Sequence, residues 1–239
     1  MNGTRKTAYP RSQLLLMAGL LLGCSNEAAE DKAASPTLFD APAESATGLA
    51  PVLAIPEDAP VVAFLGDSIP AGLHLAEHQA FPSVLQARLI EQGLPFKLIN
   101  ASESGRTTAG GASAVDWVLR SKPDVLVITL GGNDGLRGIE LETIEANLRS
   151  MIEAGQQAGA RILLLGIRLP LNYGDYGTAF DALYPKLASE FEVQFVPFYM
   201  NGVGGVADMN LADGLHPTAL GHEHLAGNVL PKLRELLEQ

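Results

Sequence analysis

Residues 60–239 alternate short apolar runs with stretches in which apolar residues recur at helical spacing. Five of the short runs have the β-branched or aromatic content and the Gly, Pro or Asn borders of strands: 61–65, 96–100, 125–130, 162–166 and 194–197. Helical patterns separate the strands and follow the last one. Strands joined by helices form a parallel sheet covered on both faces, so the pattern predicts one α/β domain.

The clearest helical pattern covers residues 142–158, where apolar or small residues follow a 3.6-residue period: Ile144, Leu148, Met151, Ile152 and Gly155. Four other helices are predicted, at 82–92, 107–120, 175–191 and 219–237. Pro231 is expected to bend or restart the last of them. Trp117, Val118 and Leu119 are expected in the core.

The first 23 residues contain three basic residues, no acids and a short apolar core at 14–22. This core is too short to span a bilayer comfortably and is typical of an export signal. The segment ending in Cys24 resembles the lipobox of bacterial lipoproteins, which implies a lipidated cysteine; the alternative is an ordinary signal peptide with a chance cysteine. Ser25 is not an inner-membrane retention residue, which implies the outer membrane.

Residues 24–59, rich in Ala, Pro, Ser, Glu and Asp, are predicted to be a disordered tether between the lipidated cysteine and the domain at 60–239. The lipid anchor would associate the protein with a membrane. With a net charge of −11 and no basic stripe, the chain is not expected to bind nucleic acid. A single cysteine excludes an intrachain disulfide and a Cys-rich metal site.

Polar residues stand where the predicted strands end. Ser68 follows the first strand, an Asn-Ala-Ser-Glu-Ser-Gly segment at 100–105 follows the second, and Gly131 to Asp134 follow the third. In a parallel sheet these three turns share the carboxyl edge, where open α/β proteins bind ligands. Near the C-terminus, Asp213 and His216 have the spacing that lets a carboxylate reach one imidazole nitrogen. A nucleophile, an oriented base and oxyanion donors can meet there.

At these residues the sequence resembles the SGNH hydrolases, also called GDSL esterases or lipases. Four ordered blocks carry the resemblance: Gly66-Asp67-Ser68, Gly105, Gly132-Asn133-Asp134, and Asp213 with His216. The resemblance implies a three-layer α/β/α, flavodoxin-like fold with a five-stranded parallel sheet. It also implies that Ser68 is the nucleophile, His216 the general base and then acid, and Asp213 its orienting partner. The Ser68 and Gly105 N–H groups and the Asn133 amide would form the oxyanion hole, with no metal or organic cofactor.

Segments at 100–105, 130–138, 167–174 and 184–188 are similar to the bacterial arylesterase, thioesterase I and lysophospholipase subgroup. This implies a serine esterase for short- to medium-chain acyl, aryl or lysophospholipid esters, and thioesters too, with a small-molecule ester or lipid as substrate. Leu136, Ile139, Pro170 and Tyr173 would line an acyl groove, although apolar loop residues also simply pack. Carbohydrate O-deacetylation and a catalytically silent binding module are the alternatives.

Three residues depart from the family pattern: Ile69, Pro70 and Arg106, the last where an acid is common. Asp134 is interpreted as a structural carboxylate that caps the following turn. His222 and His224 are expected to be exposed on a helix, so no metal site is predicted with His216. Gly66 is expected for its backbone freedom, and Gly105 because a side chain would crowd an approaching acyl group.

Overall fold

The computed structural model describes residues 55–239. The predicted signal peptide, 1–23, and the predicted tether from Cys24 to residue 54 lie outside the described residues. The last residues before the first strand form a turn in which the Ala59 N–H donates to the Pro56 carbonyl. Within 55–239, no helix combines the length and the apolar character needed to cross a bilayer.

Five parallel strands form one sheet in the order β2-β1-β3-β4-β5. Their bounds are β1 Val61–Gly66, β2 Lys97–Asn100, β3 Val125–Thr129, β4 Arg161–Leu165 and β5 Gln194–Val196. Phe64 of β1 lies opposite Asn100 on one side and Val127 on the other. The predicted α/β fold with a five-stranded parallel sheet is confirmed.

The central strands are continuous apolar runs because both faces of the sheet are covered. All five residues of β3 are buried, as are five of the six in β1. The edge strands β2 and β5 are shorter and less buried. β1 sits between β2 and β3, so the connection from β1 runs to one side of it, to β2, and the next connection crosses to the other side, to β3. This reversal of direction opens a crevice at the carboxyl end of β1.

In the described part of the chain, seven α-helices accompany the sheet: α1 Ser68–Ala71, α2 Phe81–Glu91, α3 Thr108–Leu119, α4 Gly132–Leu136, α5 Leu141–Gln157, α6 Gly174–Glu190 and α7 Ala219–Leu237. Helix α2 packs against α7, and α3 packs against α5, which also contacts α6. The five residues predicted to form the inner face of α5 are all buried. The helical period was therefore sufficient to identify that face.

The expectation that Trp117 lies in the core was wrong. Trp117 is 62% exposed, because the buried positions of α3 are Thr108, Gly111, Val115 and Val118, and residue 117 lies off that stripe. Pro231 does not restart α7, which continues through it to Leu237.

Candidate active site

The nucleophile turn is a short helix, α1, that begins directly after β1. Asp67 caps it by accepting the Ile69 N–H at 3.1 Å, and Gly72 ends it with a φ of +69°. Gly66 is required for space rather than for backbone freedom: a Cβ there would lie 2.3 Å from Pro70 Cγ. The close fit fixes Ser68 at the mouth of the crevice, where it is almost fully buried.

Ser68, His216 and Asp213 lie in one hydrogen-bonded line although 148 residues separate the serine from the histidine. His216 Nε2 is 2.9 Å from Ser68 Oγ, and His216 Nδ1 is 2.7 Å from Asp213 Oδ2. A carboxylate only accepts hydrogen bonds, so Nδ1 carries the ring proton and Nε2 is free to accept from the serine hydroxyl. The sequence-predicted constellation is therefore assembled in the structure.

Asp213 is held in an ionised state by its own loop. Its Oδ1 accepts the His216 N–H at 3.0 Å and the Leu215 N–H at 2.9 Å. These backbone donors, together with the His216 ring, lower the pKa of Asp213 well below its usual range. A carboxylate fixed in this way can orient the imidazole and stabilise its cationic form.

Asp67 is a second, buried carboxylate beside the site. Burial raises the pKa of Asp67 to about 6, against the opposing effects of the Ile69 N–H and of His216. The sequence showed Asp67 only as a turn residue, because its burial depends on the loops that close over α1.

Three groups each keep at least one N–H hydrogen with no acceptor among residues 55–239. Among the described residues, neither the Ser68 N–H nor the Gly105 N–H has a hydrogen-bond partner, and the Asn133 amide spends one of its two hydrogens on the Arg106 carbonyl at 3.1 Å. Gly105 has a φ of +81°, and a Cβ there would meet no protein atom within 4 Å. Glycine is therefore favoured here by its backbone torsion and not by a lack of space.

Asp134 is structural, but it caps a different element from the one predicted. Its carboxylate accepts the Thr108 N–H at 2.9 Å and the Thr108 hydroxyl at 2.6 Å, at the start of α3. Asn147 donates to the same hydroxyl. The carboxylate thus ties α3 and α5 to α4, the helix that carries Asn133.

An apolar cavity of about 470 Å³ opens beside Ser68 and His216. Leu136, Pro170 and Ile69 are among the residues that line it. Tyr173, which was predicted to line the acyl groove, does not line this cavity. Its hydroxyl donates to the carbonyl of Leu136, which does, at 3.0 Å. Phe198, Met200 and Leu215 also line the wall. Phe198 and Met200 lie on a loop without a recognisable motif, and Leu215 lies between Asp213 and His216, whose spacing identified the two polar residues but not the apolar one between them.

His222 was expected on the surface but is 1% exposed. The Phe81 N–H donates to its Nδ1 at 3.0 Å, which makes it a link between α7 and α2. Residues 55–239 contain no cluster of three or more His, Cys, Asp or Glu side chains able to hold a metal ion.

Comparisons with known proteins identify the family of this chain. The sequence pattern of the GDSL-like Lipase/Acylhydrolase family matches residues 64–224. Esterase TesA of Pseudomonas aeruginosa is 45% identical over 175 residues, which cover 72% of this chain and 87% of that relative. Thioesterase 1/protease 1/lysophospholipase L1 of Escherichia coli (strain K12) is 37% identical over 175 residues, covering 72% of this chain and 83% of that relative.

The crystal structure of TesA superposes with a TM-score of 0.72 at 43% identity, and the match covers 74% of this chain and 99% of that one. The family match spans more than half of the chain and includes every side chain of the hydrogen-bonded line. The chain belongs to the GDSL, or SGNH, lipase and acylhydrolase family and is a serine esterase, a carboxylic ester hydrolase.

Proposed function

We propose that Ser68 is the nucleophile of this esterase, with His216 as general base and Asp213 as its orienting partner. The observation that carries the proposal is the line of hydrogen bonds from Ser68 through His216 to Asp213, at 2.9 and 2.7 Å. A serine hydroxyl is a weak nucleophile until a neighbouring base removes its proton. The Nε2 atom of His216 is within reach of that proton.

In the proposed reaction, Ser68 Oγ attacks the ester carbonyl carbon while its proton passes to His216 Nε2. The tetrahedral intermediate collapses when the histidine returns that proton to the leaving oxygen, or to sulfur in a thioester, which leaves an acyl-enzyme. A water then gives its proton to His216 and attacks the acyl carbon. The second intermediate expels Ser68 Oγ, which recovers its proton, and releases the carboxylic acid.

The oxyanion of both intermediates would be bound by the Ser68 N–H, the Gly105 N–H and the Asn133 side-chain amide. Support comes from the free donors: within residues 55–239 the Ser68 N–H at the start of α1 and the Gly105 N–H have no hydrogen-bond acceptor, and Asn133 of α4 keeps one unused amide hydrogen. Each preorganised donor of this kind is worth on the order of 10²–10³ in rate.

The substrates proposed are small-molecule esters and thioesters with short- to medium-chain acyl groups, including aryl esters and lysophospholipids. The apolar wall that contains Leu136, Pro170 and Leu215 suits an acyl chain. One relative is named an esterase and the other a thioesterase and lysophospholipase, and these names support ester, thioester and lysophospholipid substrates. A sugar would leave its hydroxyl groups against this apolar wall, so carbohydrate O-deacetylation is the weaker alternative.

We also propose that the protein is exported and anchored to the cell envelope by a lipid on Cys24, in the outer membrane. The basic start, short apolar core and terminal Cys24 of the first segment support lipidation, and Ser25 supports the outer membrane.

Fluorophosphonate labelling of the purified full-length protein, followed by peptide mapping, tests the catalytic assignment. We expect the label on Ser68, and no label in Ser68→Ala or His216→Ala. Ser68→Ala should also lose hydrolysis of p-nitrophenyl butyrate by at least about 10³-fold. Ser113→Ala is the matched control, because Ser113 lies exposed on α3 and its hydroxyl donates to the Ala109 carbonyl. Turnover retained by Ser68→Ala would rule out the assignment.

A further inference from the structure

Arg106 closes the loop that follows β2. Its guanidinium donates to the Ala101 carbonyl at the start of the loop and to the Glu103 carboxylate at 2.8 Å. The backbone also joins Arg106 to Glu103, since the Arg106 N–H donates to the Glu103 carbonyl at 3.1 Å. One side chain therefore joins the two ends of residues 101–106, the oxyanion loop.

The arginine is held much more firmly than the carboxylate it meets. The Arg106 side chain is 14% exposed and that of Glu103 is 72% exposed. The aliphatic part of Arg106 lies on the first turn of α3, where a Cβ on Gly110 would come within 3.1 Å of Arg106 Cγ. A guanidinium with a packed stem and a partly buried carbonyl partner has little freedom to turn away.

The same loop is fixed at its other side by the sheet. The Ala101 N–H donates to the Phe64 carbonyl at 2.9 Å, and the Glu103 N–H donates to the Gly66 carbonyl at 3.1 Å. Both acceptors belong to the end of β1, just before Ser68. These bonds hold residues 101 and 103 of the oxyanion loop on the strand that presents the proposed nucleophile, and the Arg106 side chain ties the last residue of the loop to them.

Two of the three proposed oxyanion donors depend on this part of the loop. Gly105 immediately precedes Arg106, and the Arg106 carbonyl accepts the Asn133 side-chain amide at 3.1 Å. That bond uses one amide hydrogen and thereby fixes the direction of the other. A shift of the Arg106 backbone would move the Gly105 N–H and rotate the Asn133 amide together.

We propose that Arg106 is a positioning residue of the oxyanion hole, which clamps the loop so that the Gly105 and Asn133 donors are aligned before the substrate arrives. The inference rests on the proposed function. An acid at this position could neither donate to the Ala101 carbonyl nor pair with Glu103. The clamp is therefore built from the residue that departs from the family pattern.

The test compares Arg106→Gln and Arg106→Lys with the wild-type full-length protein on p-nitrophenyl butyrate. Misaligned donors stabilise the transition state less, so Arg106→Gln should lower kcat by about 10- to 100-fold with KM changed by less than about threefold. Lysine keeps a charged donor but lacks the planar, forked guanidinium, so the kcat of Arg106→Lys should lie between those of the wild type and Arg106→Gln. Arg88→Gln, which removes an arginine paired with Glu223 on the α2–α7 side, should keep the wild-type kcat.

A second readout separates alignment from general damage. Affinity for an alkyl boronic acid, which forms a tetrahedral adduct on the serine, should fall in Arg106→Gln by about the same factor as kcat, while the thermal unfolding midpoint falls no more than in Arg88→Gln. If Arg106→Gln does not fold, Arg106→Lys decides.

A folded Arg106→Gln whose kcat is within twofold of the wild-type value, or whose loss of activity is confined to KM, overturns the proposal. Ser68→Ala tells the two failures apart: its activity would refute the proposed function, whereas its inactivity beside a fully active Arg106→Gln would refute only the clamp.

Discussion

His222 is a buried titratable residue that joins two helices without taking part in the proposed chemistry. Its Nδ1 accepts the Phe81 N–H, and its ring stacks on the Phe81 ring with centroids 6.2 Å apart. An acceptor at Nδ1 requires the neutral ring with the proton on Nε2. Burial lowers the pKa of His222 to about 4, with a smaller contribution from the charge of His216.

A depressed histidine pKa makes the folded state sensitive to acid. In the unfolded chain His222 binds a proton below about pH 6.5, whereas in the folded protein it does so only near pH 4. The contribution of the neutral ring is therefore complete above pH 6.5 and is lost as the pH falls towards 4, by at most about 3 kcal/mol. We expect His222→Gln, which keeps an acceptor but does not titrate, to flatten this decline in the free energy of unfolding.

Urea unfolding at several pH values between 4 and 7 measures that decline. His224→Gln is the control, because His224 lies exposed on the same helix, and it should retain the wild-type slope. An unchanged slope in His222→Gln would show that other groups cause the acid sensitivity.

Single residues also show what a sequence can and cannot specify. The GDS, GGND and Asp-x-x-His spacings predicted Ser68, Asn133, Asp213 and His216, and the structure brings all of them to one crevice. The reasons for the two critical glycines were not readable: Gly66 is needed for space and Gly105 for its φ of +81°. A glycine is visible in a sequence, but its torsion angle and its neighbours are set by tertiary structure.

At the scale of elements, two glycines inside helices have opposite surroundings. A Cβ on Gly111 of α3 would lie 2.3 Å from Leu130 Cδ1 and 2.7 Å from Met151 Sδ, between the sheet and α5. A Cβ on Gly227 of α7 would meet only Arg88 Nη1, at 3.7 Å. The first glycine permits α3 to approach its neighbours closely, and the second has no such role.

Alanine substitutions at these two positions should therefore change stability in opposite directions. Gly227→Ala should raise the free energy of unfolding by about 0.5–1 kcal/mol through helix propensity alone. Gly111→Ala gains the same propensity but overpacks the core, and the net result should be a loss of about 1–2 kcal/mol. Denaturant unfolding of both variants at pH 7.5 measures this. Equal effects would mean that the α3 interface relaxes without cost.

The elements that the sequence predicted best are those whose period is dictated by burial. The central strands and α5 were located within one or two residues, since their apolar positions match the faces they bury. Short helices such as α1 and α4 were missed because four or five residues are too few to show a period. Trp117 was misassigned because an aromatic residue suggests burial, whereas the stripe of α3 is set by Gly111, Val115 and Val118.

At the scale of the whole molecule, the candidate site is a property of topology. The sheet order carries the ends of β1, β2 and β3 to one edge, which is why widely separated motifs could be joined from sequence alone. The apolar wall of the cavity was only partly foreseen, because Phe198, Met200 and Leu215 lie on loops whose course is fixed by contacts with the rest of the fold.

The proposed anchor makes a prediction for the entire chain. The side chains proposed for catalysis lie between Ser68 and His216, far along the sequence from the N-terminal segment, so anchoring and turnover should be separable. Wild-type cells given labelled palmitate should incorporate it into the protein, and Cys24→Ala should not, because the chain has no second cysteine. Per mole of protein in detergent extracts, hydrolysis of p-nitrophenyl butyrate should be equal in the wild type and Cys24→Ala.

Ser25→Asp is the matched control: it should keep the lipid but shift the protein to the inner-membrane fraction. Palmitate retained in Cys24→Ala would contradict the anchor, and an unshifted Ser25→Asp would contradict its sorting to the outer membrane.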